Sequence, residues 1–183
     1  WNIANETFFK SLAKTIQVLK LRVSWGSLGN TNIKQLYPWF LNQPVSAASS
    51  SWLLNGERQN IANVPGLVSP NLTWERIQSW NIGFDFGAFN NRLQGNFDYF
   101  VRTTKNMVGP APVKPSILGA NQPAENNSDM RSNGWELEVK WRDQIGQVNY
   151  GARLVMSDDY QTITRYYNPN HLLSEWYEGQ RMG

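Results

Sequence analysis

Apolar and polar residues alternate along several stretches of the chain, most clearly on either side of residues 87–91. Every second residue is apolar in 80–86, and the same spacing continues through 93–101. A period of two places alternate side chains on opposite faces of a β-strand, whereas a helix has a period near 3.6. Gly87 and the two asparagines that follow it tolerate positive φ. The two stretches are therefore predicted to form a hairpin with its turn at 87–91.

The same alternation recurs in residues 19–25, 135–141 and 148–156. The first of these stretches runs into a glycine-containing segment at 26–30, which predicts a reversal, and the other two are joined by a reversal predicted at 143–147. Weaker patterns predict the end of a strand at 1–3, one or two helical turns at 6–14 and a strand within 51–60.

Long stretches without alternation lie between these strands. Residues 31–73 and 105–130 are rich in proline, and the sequence from Asp158 onward also resembles a loop. Short turns thus alternate with long loops, which predicts an all-β antiparallel meander. Such a meander either packs into a soluble sandwich or closes into an outer-membrane barrel whose apolar face meets lipid. Aromatic residues near strand ends, the alternating loop lengths and the mixed charges of the polar faces lean toward the membrane form, and the pattern leaves both forms open.

The composition limits the classes of function. With 40% hydrophobic and 17% charged residues in 183, the chain is predicted to fold. Nine tryptophans in an aromatic content of 13% suit interfaces, sugar sites and membrane belts. A net charge of +3 on scattered Lys and Arg does not indicate nucleic-acid binding, and zero cysteines exclude a disulfide framework. No signal peptide or apolar run of membrane-helix length is present, and Trp1 as first residue predicts a processed or excised piece.

Several segments in a fixed order resemble one family of transport proteins. They are WNIANETFF at 1–9, LKLRVSWGSLGN at 19–30, YPW at 37–39, PNLTWE at 70–75, NIGFDFG at 81–87, NRL at 91–93, FDYFVRTTK at 97–105 and GWELE at 134–138. Their order and spacing extend across nearly the whole chain. In this respect the chain resembles SusC/RagA-type TonB-dependent outer-membrane transporters.

The resemblance implies a 22-stranded transmembrane β-barrel that encloses an N-terminal plug in a Gram-negative outer membrane. In that family a TonB box engages the energising complex, and a SusD-like lipoprotein caps the extracellular mouth. Residues 1–183 resemble only part of the C-terminal half of the barrel, without plug, TonB box or terminal aromatic strand. The expected function is a share in the import of glycans, oligosaccharides or peptides, with no cofactor.

The resemblance also orients the strands in the membrane. The turns at 87–91 and 143–147 are expected at the periplasmic rim, and residues 26–73, 105–130 and 159–183 are expected outside. The polar faces of the strands then point into the lumen, toward plug or water. The expected lumen-facing residues are Lys20, Arg22, Asn81, Asp85, Asn96, Asp98, Arg102, Glu136, Glu138, Lys140 and Arg153.

Candidate catalytic residues are few. Glu136 and Glu138 share a strand face at a separation that suits an inverting glycosidase. The same spacing arises on any polar strand face, and Lys140 favours the ionised state that a general acid must avoid. His171 is the only histidine and has no cysteine or second histidine to help bind a metal. We therefore expect no enzyme and no metal site.

A second hypothesis is a soluble β-domain that binds carbohydrate on exposed aromatic rings. Trp39, Trp52 and Trp176 lie in loop-like sequence, where they are candidates for contact with a ligand or a partner. A loop tryptophan more often packs beneath its own loop. A soluble monomer would favour this hypothesis, and aggregation through exposed edges would favour the barrel.

Overall fold

The computed structural model describes residues 1–31, 40–41, 43–48, 53–110, 117 and 123–182. The strands are β1 (Ile16–Asn30), β2 (Val45–Ala47), β3 (Asn60–Ala62), β4 (Glu75–Ala88), β5 (Leu93–Met107), β6 (Ser128–Ile145), β7 (Val148–Arg165) and β8 (Arg181–Met182). Two short 3-10 helices, Ile3–Asn5 and Thr7–Phe9, precede them. In the described part of the chain no helix has both the length and the apolar character needed to cross a membrane.

Six of the strands form one sheet in the order β1-β4-β5-β6-β7-β8, and every neighbouring pair is antiparallel. β2 and β3 form a separate two-stranded hairpin within the connection from β1 to β4. Strand β8 pairs with β7 through only two residues, so most of β7 lies at an edge, as does β1. The predicted antiparallel meander is confirmed.

The reversal predicted at 26–30 and the loop predicted from Asp158 onward both begin as strand. Residues 26–30 continue β1, since Gly26 pairs with Ser79 and Asn30 pairs with Glu75. Likewise β7 continues beyond Asp158 as far as Arg165. The cross-strand backbone hydrogen bonds extend each strand past the point where its apolar alternation ends, because they do not depend on side-chain type.

The tight turns are shorter than predicted. Strands β4 and β5 meet through Phe89, Asn90 and Asn91, with φ of 55°, 57° and 62°, followed by Arg92. Positive φ was therefore correctly expected at the asparagines and wrongly at Gly87, which stays within β4 close to Val18. Strands β6 and β7 meet through only two residues, with φ of 61° at Gly146. We call the end of the strands at which these tight turns lie the turn end, and the opposite end of the strands the loop end.

The weaker expectations have mixed outcomes. Trp1 exchanges two backbone hydrogen bonds of 2.8 Å with Leu21 of β1, as expected for the end of a strand. The predicted helical turns at 6–14 are a 3-10 helix and hydrogen-bonded turns. The strand predicted within 51–60 does not form in residues 53–59, and residues 51–52 lie outside the described residues.

The best enclosed part of the molecule lies at the loop end, where the long connections fold back onto the sheet. Its buried residues are Ser69, Leu72, Glu75, Thr104, Ser128, Ile163 and Tyr166. The Glu75 carboxylate accepts hydrogen bonds from the Val108 backbone at 3.0 Å and the Asn30 side chain at 3.4 Å. These contacts tie three strand ends together. The rest of the sheet is a single layer with two accessible faces.

Candidate functional site

The strand register places all eleven residues expected in a lumen on the same side of the sheet, which we call the polar face. They are Lys20 and Arg22 on β1, Asn81 and Asp85 on β4, Asn96, Asp98 and Arg102 on β5, Glu136, Glu138 and Lys140 on β6, and Arg153 on β7. Each strand contributes every second residue, so this common side follows from the pleat and the pairing together.

Arg22, Asp85 and Asp98 form one ion cluster across three neighbouring strands, the Arg22 cluster. The guanidinium lies 2.8 Å from Asp98 Oδ2 and 3.0 Å from Asp85 Oδ1. Asp98 is the most enclosed of the three, with 14% of its side chain exposed against 36% for Arg22. The cluster therefore joins β1, β4 and β5 by charge-assisted hydrogen bonds as well as by the backbone.

Gly83 is what lets this cluster close. It stands between Arg22 and Asp98 in the register. A Cβ atom on Gly83 would collide with the Asp98 carboxylate and lie 2.9 Å from the Phe97 carbonyl oxygen. The Arg22 side chain thus crosses to Asp98 over a position that has no side chain. Sequence alternation assigns Gly83 to the polar face, but only the register reveals its role.

Glu138, Lys140 and Arg153 form a second cluster, the Glu138 cluster. One carboxylate oxygen of Glu138 lies 2.6 Å from Lys140 Nζ and 2.7 Å from Arg153 Nε. This cluster joins β6 to β7. The formal charge of the Glu138 cluster is +1 and that of the Arg22 cluster is −1. The summed charge of the two neighbouring clusters on the polar face is therefore zero. Asp85, Asn96, Glu138 and Lys140 also line a shallow cavity of about 340 Å³.

The other side of the sheet, the apolar face, is covered with exposed hydrophobic side chains. Leu137 pairs with Phe97 and Met156 near its middle. Tyr150 and Tyr160 stand toward opposite ends of β7, ten residues apart on this face. At roughly 3.3 Å per residue and a tilt of about 40°, that separation corresponds to about 25 Å along a membrane normal. The apolar face thus has the height of a lipid-facing band between aromatic girdles.

Of the three candidate loop tryptophans, Trp176 lies among the described residues, and it is half-buried against a tyrosine. Trp176 stacks edge-on against Tyr166 with ring centroids 5.9 Å apart. The Tyr166 hydroxyl donates to the Pro110 carbonyl oxygen at 3.1 Å. Burial, and secondly the Glu175 carboxylate, raises the pKa of Tyr166 above its usual value, which favours the protonated hydroxyl that makes this hydrogen bond. Trp39 and Trp52 lie outside the described residues.

A larger cavity of about 480 Å³ opens beside this loop, a feature that the sequence reasoning missed. Tyr166, Tyr167, His171 and Tyr177 are among its lining residues. Asn168 shapes the loop, because its side chain bonds to the backbone of Leu172 and Trp176. In the sequence, this cavity is indicated only by several tyrosines close to an Asn-Pro pair.

In the part of the chain that the structure describes, the two candidate acids are not arranged as a catalytic pair. Glu138 is engaged by Lys140 and Arg153, as in a structural ion pair, and Glu136 is exposed beside it on the same face. His171 lies in the loop after β7. Across the described ranges no group of three or more His, Cys, Asp or Glu residues has a metal-binding arrangement.

Comparison with known proteins identifies the family. The family model described as "TonB dependent receptor-like, beta-barrel" matches residues 11–182. The chain belongs to this family. The resemblance inferred from the sequence is thereby confirmed, and the TonB-dependent receptor barrel accounts for the meander and its two unlike faces.

Individual relatives agree with this assignment. TonB-dependent receptor P3 of Formosa agariphila is 30% identical over 148 residues, which cover 80% of this chain and 14% of that receptor. TonB-dependent receptor SusC of Bacteroides thetaiotaomicron is 27% identical over 139 residues, which cover 76% of this chain and 14% of SusC. The chain therefore spans about one seventh of the length of these receptors.

Solved structures give the same result. The RagAB peptide importer in its "closed-closed" state matches 98% of this chain and 19% of its own chain, with a TM-score of 0.77 and 26% identity. The RagAB peptide transporter matches 93% of this chain and 18% of its own, with a TM-score of 0.72 and 27% identity. The similar proteins are named as receptors and transporters, not as enzymes.

Proposed function

We propose that this chain forms part of the barrel wall of a TonB-dependent transporter that imports nutrients across a bacterial outer membrane. The apolar face meets lipid and the polar face lines the lumen. The observation that carries the proposal is the contrast between the two faces of one sheet, in a chain of the TonB-dependent receptor family. A soluble sandwich would have to cover the apolar face with a second layer.

The two ion clusters suit a wet lumen. Both are accessible at their edges and cross-link neighbouring strands. Each charged group in them has an ionic partner, although Asp98 Oδ1 is buried with no hydrogen-bond partner among the described residues. Together they leave the face nearly neutral, so this part of the wall attracts neither anions nor cations strongly. The role of the eleven lumen-facing residues is thus to hold the wall and contact plug or water.

The orientation of the receptor follows from the connections. The tight turns face the periplasm, and the long connections face the outside, where a SusD-like lipoprotein caps the mouth. The cargo is a glycan, an oligosaccharide or a peptide, and the similarity to the RagAB peptide transporter supports a peptide. TonB acts through a plug that precedes this part of the barrel. Residues 1–183 then belong to the barrel and to no other domain of the receptor.

Cysteine labelling tests the assignment of the two faces. Met156 and Ser157 are adjacent, exposed and on opposite faces of β7. The full-length receptor is expressed in a Gram-negative host with either Met156→Cys or Ser157→Cys, in a background without other cysteines. We expect a membrane-partitioning maleimide to label only Met156→Cys, and a small water-soluble maleimide to label only Ser157→Cys.

Fractionation provides the control for location. Both variants should sediment with the outer membrane and migrate differently after boiling, as folded barrels do. Equal labelling of both positions by the water-soluble reagent, in a protein recovered from the soluble fraction, would contradict the proposal. Growth of a strain lacking the receptor on glycans and on peptides then separates the two classes of cargo.

A further inference from the structure

The apolar face ends in an aromatic belt toward the loop end. Trp25 and Trp80 are register partners whose rings lie 6.2 Å apart. Tyr99 and Trp135 are partners on the next two strands, and Tyr160 follows on β7. Tryptophan and tyrosine at such a border mark the level of the lipid headgroups in membrane proteins.

Four basic residues lie on the same face in the first two rows beyond this belt. We name them the basic band, and they are Arg76 on β4, Lys105 on β5, Arg131 on β6 and Arg181 on β8. Arg76 pairs with Lys105, and Arg131 and Arg181 both pair with Thr162 from its two sides. All four side chains are exposed. The band spans four strand spacings, or about 19 Å at roughly 4.8 Å per spacing.

Neighbouring side chains hold two members of the band in place. Arg131 donates to the Asn133 side chain at 3.1 Å, and Asn133 donates in turn to the Tyr160 hydroxyl at 3.1 Å. The Arg181 guanidinium lies 4.9 Å from the centre of the Tyr160 ring. These contacts orient the guanidinium groups and leave their charge unneutralised, since none of the partners is anionic.

Counter-charges near the band are few. Among the described residues none of its four members takes part in an ion pair. Asp129 lies close enough to Lys105 for an electrostatic interaction, but its carboxylate is ion-paired with Arg165 at 2.8 Å and accepts a hydrogen bond from the Asn106 backbone. Asp158 is the acidic residue on the belt itself, one row below Tyr160. The basic band therefore keeps a clear positive excess.

The turn end of the same face is built differently. There Arg92 pairs with Asp143 at 3.2 Å, and the Tyr150 hydroxyl also lies within 3.3 Å of the Asp143 carboxylate. Three exposed cations also lie at the turn end, but Lys10 and Lys14 precede β1 and Arg142 is on the polar face. On the apolar face of the strands, charge is thus neutralised at the turn end and accumulated at the loop end. An asymmetry of this kind matches a bilayer whose two surfaces differ in anionic groups.

From this asymmetry we infer that the basic band binds the phosphate groups of an anionic glycolipid in the outer leaflet of the membrane. The inference rests on the proposed function, because it requires the apolar face to be in lipid. Arginine grips phosphate with two parallel hydrogen bonds, and lysine adds a point charge. Gln78, Thr103 and Thr162 lie in the same rows and offer uncharged donors. The acyl chains would then lie against the apolar face below.

Binding of a fluorescent diphosphoryl lipid A to the full-length receptor in neutral detergent micelles tests the inference. Two triple variants are compared. The band variant carries Arg76→Gln, Lys105→Gln and Arg131→Gln. The control variant carries Lys10→Gln, Lys14→Gln and Arg142→Gln, and it removes three exposed cations from the turn end. We expect the first variant to bind on the order of 100-fold more weakly, since each cation near an anionic surface contributes a factor of about five. The second variant should bind like the unmodified receptor.

Three further readings separate the sources of any binding. Lipid A without its phosphates should bind weakly to every variant, and inorganic phosphate should not displace diphosphoryl lipid A from the unmodified receptor. The inference would be overturned by any of three results: both triple variants lose affinity for diphosphoryl lipid A equally, the dephosphorylated lipid binds as tightly as diphosphoryl lipid A, or inorganic phosphate displaces diphosphoryl lipid A. Heat-modifiable migration of all variants shows that the barrel has formed, so a failure here is distinct from a failure of the proposed function.

Discussion

The polar and apolar faces of this sheet handle charge in opposite ways. On the polar face, Arg22 and Glu138 each gather two residues of opposite sign, so that charges meet their partners within the wall. On the apolar face, Asp158 is the acidic residue on the aromatic belt, and four basic residues without an ion pair among the described residues lie beyond the belt: Arg76, Lys105, Arg131 and Arg181. In the proposed receptor, water and plug would thus meet a nearly neutral polar face, whereas the lipid-facing side would present positive charge at its outer border.

The largest expected effect comes from placing a charge in the middle of the apolar face. Leu137→Arg should lower the free energy of unfolding by about 2–4 kcal/mol, the cost of arginine near a bilayer midplane. The measurement is denaturant unfolding of the full-length receptor from lipid vesicles, followed by tryptophan fluorescence. Ser157→Arg is the matched control on the polar face, where a surface substitution should change stability by less than about 0.5 kcal/mol. Equal costs at the two positions would mean that the faces do not meet different media.

A smaller effect is expected from filling the space beneath the Arg22 cluster. Gly83→Ala places a methyl group against the Asp98 carboxylate and should cost about 1–3 kcal/mol, as overpacking does. Gly26→Ala is the control, because a Cβ there meets nothing within 4 Å. The same unfolding experiment compares the two variants. If Gly83→Ala is as stable as Gly26→Ala, the cluster does not depend on the missing side chain.

The smallest effect is expected from removing the cation of the Arg22 cluster. Arg22→Met leaves Asp85 and Asp98 as neighbouring carboxylates and should cost about 1 kcal/mol, since about a third of the Arg22 and Asp85 side chains is exposed to screening solvent. Adding Asp85→Asn and Asp98→Asn should restore most of the loss. The unfolding free energies are measured at low and high salt, and an unchanged deficit in the triple variant would argue against charge as the cause.

The sequence was sufficient for the two faces but not for the ends of the strands. Alternation assigned Trp80, Phe84 and their neighbours to one side, and the structure agrees. It failed at 26–30 and beyond Asp158, where glycine or polar residues interrupt the pattern while the backbone ladder continues. It also missed the positive φ of Phe89, because few sequence signals mark an aromatic residue in that conformation.

The order of amino acids therefore determined the fold class, the face on which each charge lies and the family, because strand alternation is a local property of neighbouring residues. Tertiary structure alone decided which charges meet. Arg22 finds Asp85 and Asp98 across 63 and 76 residues of chain. It does so only because Gly83 occupies the register position between Arg22 and Asp98. That position depends on long-range pairing, and a shift of one residue would turn every side chain to the other face.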